Sequence, residues 1–191
     1  FNNQDIDTIQ IMVNYLAIFW ELDSFIKKAE QEALVDHLTM VWNRRYMMRQ
    51  IEAEDAKLKR YSGETCIAIM DMGNFKHIND CFGHKVGDEV LRGTAAAISR
   101  SARAVDSVGR FGGDEFIVLF PSTSLDEAQI AMQRISEEIS DLKIRAADDV
   151  KIFADYGVAS CPDDAPTLLE ALHIADERMY ANKRERKKSQ E

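Results

Sequence analysis

The chain has 191 residues, 46% apolar and 30% charged, enough for one well-filled core with an appendage and too few for several domains. A formal net charge of −9 excludes a general nucleic-acid binder, because no broad basic surface offsets phosphate repulsion. No apolar run approaches the roughly eighteen residues of a membrane span, and no secretory leader is evident in this fragment. Cys66, Cys81 and Cys161 are odd in number and lack metal-ligand spacing, as expected of core or turn residues in a reduced, cytoplasmic setting. The sequence begins at Phe1 rather than Met, so a piece of a longer protein is expected, with membrane attachment of the parent left open.

Residues 1–35 are predicted to form one long helix. Ile6, Ile9, Val13, Leu16 and Trp20 follow a 3-4-3-4 spacing, and Ile11, Tyr15, Ile18, Leu22, Phe25 and Ala29 form a second stripe. Two apolar stripes cannot both face one partner. The expectation is a signalling and dimerisation helix that meets an upstream domain on one side and a twin helix on the other. An amphipathic helix lying back on the following domain is the competing expectation.

Asp36 opens the second region, 36–191. Arg44 to Tyr61 is predicted helical and Glu64 to Met72 a strand, within which Ile67-Ala-Ile-Met-Asp71 is a buried run ending in a carboxylate. A short helix from Phe75 to Asp80 and a longer one from Lys85 to Arg103 follow. Asp71, Lys76, Asn79, His84 and Asp88 thus fall within one strand-to-helix passage. Singly, Asn79-Asp80 and Gly87-Asp88 fit caps and turns. Together with a strand-end Asp they fit a phosphoryl-transfer site.

Asp106 to Phe111 and Phe116 to Phe120, ended by Pro121, read as two strands of a hairpin joined by Gly112-Gly113-Asp114-Glu115. Glycines at the tip remove the Cβ atoms that would keep a nucleotide off the backbone, while Asp114 and Glu115 supply the hard oxygens that Mg²⁺ prefers. Gly-Gly-Asp by itself is ordinary turn chemistry. Leu125 to Leu142 is a predicted helix, Lys151 to Ser160 a strand and Thr167 to Lys187 the last helix, with Lys183 and Lys187 on one face. Alternating strands and helices around an antiparallel hairpin predict an α+β fold: a mixed, largely antiparallel sheet covered by helices, preceded by the long helix.

Four of these stretches resemble the GGDEF-domain diguanylate cyclases. Asp36-His-Leu38-Thr39-Met-Val-Trp-Asn43-Arg44-Arg45 is similar to the family's opening motif, with His37 and Met40 where Pro and Gly are usual. Phe75-Lys76-His-Ile78-Asn79-Asp80-Cys-Phe82-Gly83-His84-Lys-Val-Gly87-Asp88 resembles its nucleotide-binding stretch, Gly112 to Phe116 its name motif, and Ala175-Asp176 to Lys183 its closing helix. The first half of the long helix resembles the terminal helix of a GAF-type sensory domain.

The resemblance implies an enzyme that joins two GTP into cyclic di-GMP and releases two pyrophosphates, working as a homodimer with Mg²⁺ or Mn²⁺. It implies a fold related to polymerase palms and nucleotidyl cyclases. Asp71, Asp114 and the Met72 carbonyl would be metal ligands, with Glu115 at a second metal. Asp114 would be the catalytic base, and Lys76 would stabilise the transition state. Asn79 and Asp88 would read guanine, Lys76, Lys183 and Lys187 would face the phosphates, and His84 would order the turn. Arg103 and Asp106, five residues ahead of the hairpin motif, resemble the family's inhibitory Arg-x-x-Asp site for bound product, with Arg134 as a secondary contact.

Two departures stand out. The family usually has Asp-x-Asp where this chain has Asp71-Met72-Gly73. Gly73 is expected to loosen the strand-to-helix turn and reduce activity, which keeps open a degenerate domain that binds GTP or cyclic di-GMP and only signals. A dimerising output module centred on the long helix is a further alternative. Asp155 stands where a Ser is usual in the penultimate strand, with no evident reason in the sequence.

Overall fold

The computed structural model describes residues 3–32, 34–144 and 150–188. The side chains of residues 1–9 and 27–33, and with them Ile6, Ile9 and Ala29 of the two expected stripes, lie outside the described set. Contacts divide the chain into residues 1–34 and residues 35–191.

The first unit is one helix, α1 (Asn3–Glu32). From Ile11 to Ile26 its apolar side chains are exposed around the whole circumference, Tyr15, Phe19 and Phe25 at 70% and Trp20 at 78%. A helix that is apolar on every side is ordinarily held together by burial of those side chains against a partner.

In the second unit, β1 (Trp42–Asn43), β2 (Thr65–Met72), β3 (Ser107–Arg110), β4 (Glu115–Pro121) and β5 (Ala154–Cys161) form one sheet in the order β1-β3-β4-β2-β5. β1 runs parallel to β3 and every other pairing is antiparallel. The five helices of this unit, among the described residues, are α2 (Arg44–Tyr61), α3 (Phe75–Phe82), α4 (His84–Ser101), α5 (Leu125–Ser140) and α6 (Leu168–Lys188). The fold is thus mixed α+β and mostly antiparallel, as the sequence predicts. The two-residue β1 has no counterpart in that expectation.

Alternation along β2 assigns the helices to faces. Cys66, Ala68, Met70 and Met72 pack with α4 and α5, whereas Ile67 and Ile69 pack with α2 and α6. A strand buried on both faces reads as an unbroken apolar run, which is how β2 appears in the sequence. Asn43 caps α2, its side-chain oxygen accepting from Tyr46 N–H at 3.0 Å. Ser124 and Glu127 form a reciprocal capping box at the start of α5.

α6 lies on β5 so closely that a Cβ at Gly157 would overlap the Ala175 carbonyl. At the outer edge of β5, Arg178 Nη1 donates to the Val158 carbonyl at 2.8 Å and Asn182 Nδ2 to the Tyr156 carbonyl at 3.0 Å. Cys66 and Cys161 are buried and Cys81 exposed, all unpaired; burial pushes the Cys66 thiol up to about 12. Among the described residues no helix is long and apolar enough to cross a membrane.

Candidate active site

Strand register builds the site. Asp71 at the end of β2 sits opposite Glu115 of β4 on one side and Asp155 of β5 on the other. Directly opposed residues of antiparallel strands share a face, so three carboxylates form a row on the α2/α6 side of the sheet. Three like charges in a row need cations. α6 supplies two, Lys183 Nζ at 2.5 Å from Asp71 Oδ1 and Arg186 on Asp155, and Arg44 of α2 acts on Glu115.

The β3–β4 turn places Asp114 beside this row. Its carbonyl accepts from Met72 N–H at 3.1 Å, tying the hairpin tip to the end of β2. Arg110 braces the tip by donating from Nε and Nη2 to the Gly113 carbonyl at 3.1 and 2.6 Å. Asp36 orients Arg110 through Nη1 at 3.2 Å and also accepts from Thr39 N–H and Oγ1. Burial opposes its charge, but these bonds hold the Asp36 carboxyl below its ordinary value. Asp36 and Arg110 are therefore supports that sequence reasoning missed, although both lie inside motifs it singled out.

Burial first, then the Asp71 charge, pushes the Asp114 carboxyl above its ordinary value, against its own backbone N–H, Lys183 and Arg110. Burial, then Asp71, Asp114 and Asp176, does the same to Glu115 against Arg44. A carboxylate pushed up by neighbouring carboxylates in this way favours a cation beside it. Among the described residues no three Asp, Glu, His or Cys side chains converge as a ready-made metal cage. One or two carboxylates fit Mg²⁺, which takes its remaining ligands from carbonyls, water and substrate phosphates.

The other expected residues divide. Asn79 is packed over α4, where a Cβ at Gly87, the residue before Asp88, would overlap its side-chain oxygen. Lys76, His84 and Lys187 are exposed and make no hydrogen bond or ion pair among the described residues; His84 opens α4 rather than bonding across the turn. Gly73 corrects an expectation. Instead of a loosened turn, its N–H donates to the Phe153 carbonyl at 2.8 Å, and the Phe153 ring fills the space where a Cβ would stand. Asp155 is also accounted for, since Arg186 holds both its oxygens, at 2.8 and 2.9 Å. Only tertiary pairing across 31 residues reveals that contact.

On the opposite face, Arg103, Asp106 and Arg134 line one small cleft with Thr123 and Glu127. Asp106 Oδ2 accepts from Arg103 N–H at 2.6 Å, and its Oδ1 is buried with no hydrogen-bond partner among the described residues. Burial pushes its carboxyl up, against Arg103 and Arg134. Arg134 donates to the Ser101 carbonyl at 2.6 Å.

The family described as "Diguanylate cyclase, GGDEF domain" matches residues 33–189. The chain belongs to the GGDEF diguanylate cyclase family. DgcP of Pseudomonas aeruginosa, named a diguanylate cyclase, is 38% identical over 117 residues, covering 61% of this chain and 17% of that protein. DosC of Escherichia coli K12, also named a diguanylate cyclase, is 33% identical over 162 residues, covering 84% of this chain and 35% of that protein. The chain therefore spans about a third or less of the length of these curated relatives. Among solved structures, the coiled coil and GGDEF domain of DgcB from Caulobacter crescentus in complex with c-di-GMP superposes with a TM-score of 0.75 at 26% identity, covering 93% of this chain and 94% of that one.

Proposed function

We propose that this chain condenses two GTP into cyclic di-GMP and two pyrophosphates. The observation that carries the reading is the placement of Asp71 opposite Glu115 at the sheet end, with Asp114 tied to the end of β2 and Lys183 on Asp71. Asp71, Asp114 and the Met72 carbonyl would hold one Mg²⁺ or Mn²⁺ and Glu115 a second. When bound, the metal neutralises triphosphate charge and acidifies the attacking hydroxyl.

The chain's own residues do the rest. The Asp88 carboxylate accepts from guanine N1–H and N2–H₂, and the Asn79 amide can both donate and accept. Lys76, Lys183 and Lys187 meet the phosphates, with Lys76 stabilising charge that develops in the transition state. The 3′-oxygen of one GTP bonds to the α-phosphorus of the other, the bond from that phosphorus to the β-phosphate oxygen breaks, and pyrophosphate leaves with the electron pair. Asp114, whose carboxyl is already pushed up, takes the hydroxyl proton. A second, symmetric condensation closes the ring.

One GTP per domain requires two domains face to face, so the working unit is a homodimer, in the cytoplasm where GTP is found. The cleft of Arg103, Asp106 and Arg134 takes the product and inhibits. The buried, unpartnered Asp106 Oδ1 supports that reading as an acceptor for guanine. Against a degenerate, signalling-only domain stands Phe153, whose ring closes the turn that Gly73 was expected to loosen.

Incubating the chain with GTP and Mg²⁺ and separating the nucleotides tests this. Wild type is expected to yield cyclic di-GMP and pyrophosphate, and Asp114→Ala or Glu115→Ala to lose at least about a thousandfold in turnover, several kcal/mol of charge stabilisation. Unchanged turnover in both variants would sink the site assignment. GTP binding by wild type without product would favour the signalling-only reading.

A further inference from the structure

Asp155, Phe153, Gly73 and Arg186 are four residues the proposed chemistry does not use, yet they form one connected cluster at the edge of its site. Arg186 reaches both oxygens of Asp155, Nε to Oδ1 at 2.8 Å and Nη2 to Oδ2 at 2.9 Å, and its guanidinium stacks 4.2 Å above the Phe153 ring. The same ring occupies the space above Gly73. Two parallel charge-assisted bonds and a stacked ring fix a guanidinium in both position and plane. Asp155 is 6% exposed, so this is a built contact and not a surface pair of low value.

The cluster lies one helical turn beyond Lys183. Lys183 and Arg186 are three residues apart on α6, on one face, and their partners Asp71 and Asp155 are opposite each other in the β2–β5 register. α6 is therefore pinned to the sheet end at two adjacent points. The first pin is on the candidate metal ligand and must yield when that carboxylate is needed. The second is not, because Asp155 has its charge fully engaged by Arg186.

From this geometry we infer that Arg186 is a positioning residue, which holds the end of α6 over the site so that Lys183 remains aimed at it after releasing Asp71, and that Gly73 is the residue the Phe153 ring requires. The inference rests on the proposed cyclase reading. Gly73 and Phe153 are a matched pair: a side chain at 73 would expel the ring, and losing the ring would leave one face of Arg186 unsupported. Lysine cannot replace Arg186, since it has neither the fork nor the stacking plane.

Two measurements on the full chain test this. In the first, melting temperatures of metal-free wild type, Gly73→Ala, Phe153→Leu and the double variant are compared. Gly73→Ala is expected to lower the melting temperature by several degrees in the wild-type background and by clearly less beside Phe153→Leu. Additive shifts would overturn the ring-and-glycine pairing. In the second, kcat and KM for GTP are measured at a temperature where every variant is fully folded. Arg186→Gln and Arg186→Lys are both expected to lower kcat about tenfold with KM changed less than threefold, and Asp155→Asn to do likewise.

Wild-type kcat in folded Arg186→Gln would show the cluster to be structural only and overturn the positioning role. Full rescue by Arg186→Lys would overturn it in favour of bare charge. A wild type that makes no product would remove the cyclase reading and the positioning role with it, while a non-additive melting cycle would still uphold the pairing. An active wild type with an additive cycle would overturn that pairing alone.

Discussion

At Asp71, one carboxylate oxygen is held by Lys183 in the position where the proposed metal would bind, so the two cations compete for it. Lys183 also acts on Asp114, keeping its raised carboxyl from rising further. Lys183→Ala is therefore expected to move the Asp114 titration to higher pH, measured by carboxyl-carbon NMR on the metal-free protein, and to shift the acid limb of the activity profile the same way. An Asp114 that titrates unchanged or lower would contradict the placement of Lys183. On the other face, Arg103→Ala should relieve inhibition by added cyclic di-GMP while leaving initial turnover intact. A coupling of about 1–3 kcal/mol between the sites would be ordinary, roughly five- to 150-fold in the inhibition constant. Equal inhibition of both proteins would show that the product site lies elsewhere.

Where β5 ends and α6 packs on it, Asp164 is the joint: it accepts from Ser160 N–H at 2.9 Å and from Arg178 Nη1 and Nη2 at 2.8 and 2.6 Å. The Arg178 bonds hold its carboxyl below the ordinary 3.8. A depressed carboxylate contributes stability that is present above that value and lost as pH falls through the lowered one. Asp164→Asn is expected to cost about 1–2 kcal/mol at neutral pH, after allowance for the solvent around Arg178, and the two melting curves should converge in acid. A gap that persists at the lowest pH at which both fold would assign the loss to something other than charge. At this scale much was legible in advance. α2 runs from Arg44 to Tyr61 as predicted, and the hairpin with its glycine tip falls where the β-branched runs place it. Strand β1 was not legible, because two residues carry no period and their pairing with β3 is set by tertiary packing. The same holds for the carboxylate row: Asp71, Glu115 and Asp155 are far apart in the chain and only register aligns them. Gly73 misled because a glycine at a turn suggests freedom, whereas here it marks close approach by a ring.

For the molecule as a whole, the exposed aromatic and aliphatic side chains of α1 bear on the proposed homodimer. Pairing of two such helices would bury them and raise the effective concentration of one domain near the other to about millimolar. The stripe Ile11, Tyr15, Ile18, Leu22 and Phe25 is the expected seam. Deleting residues 1–32 is expected to lower specific activity and make it depend steeply on protein concentration, with GTP affinity little changed. Equal specific activity of the two forms at nanomolar protein would show that α1 is not what joins them. A protein that works as the proposed homodimer would also have to stop at two, and the outer strand β5 bears on this. Its outward carbonyls at Tyr156 and Val158, open hydrogen-bond acceptors on any other sheet edge, are already taken by Asn182 and Arg178. An incoming strand would have to break those bonds before forming its own, so this edge resists strand addition even at the high local concentration that pairing of two copies would create.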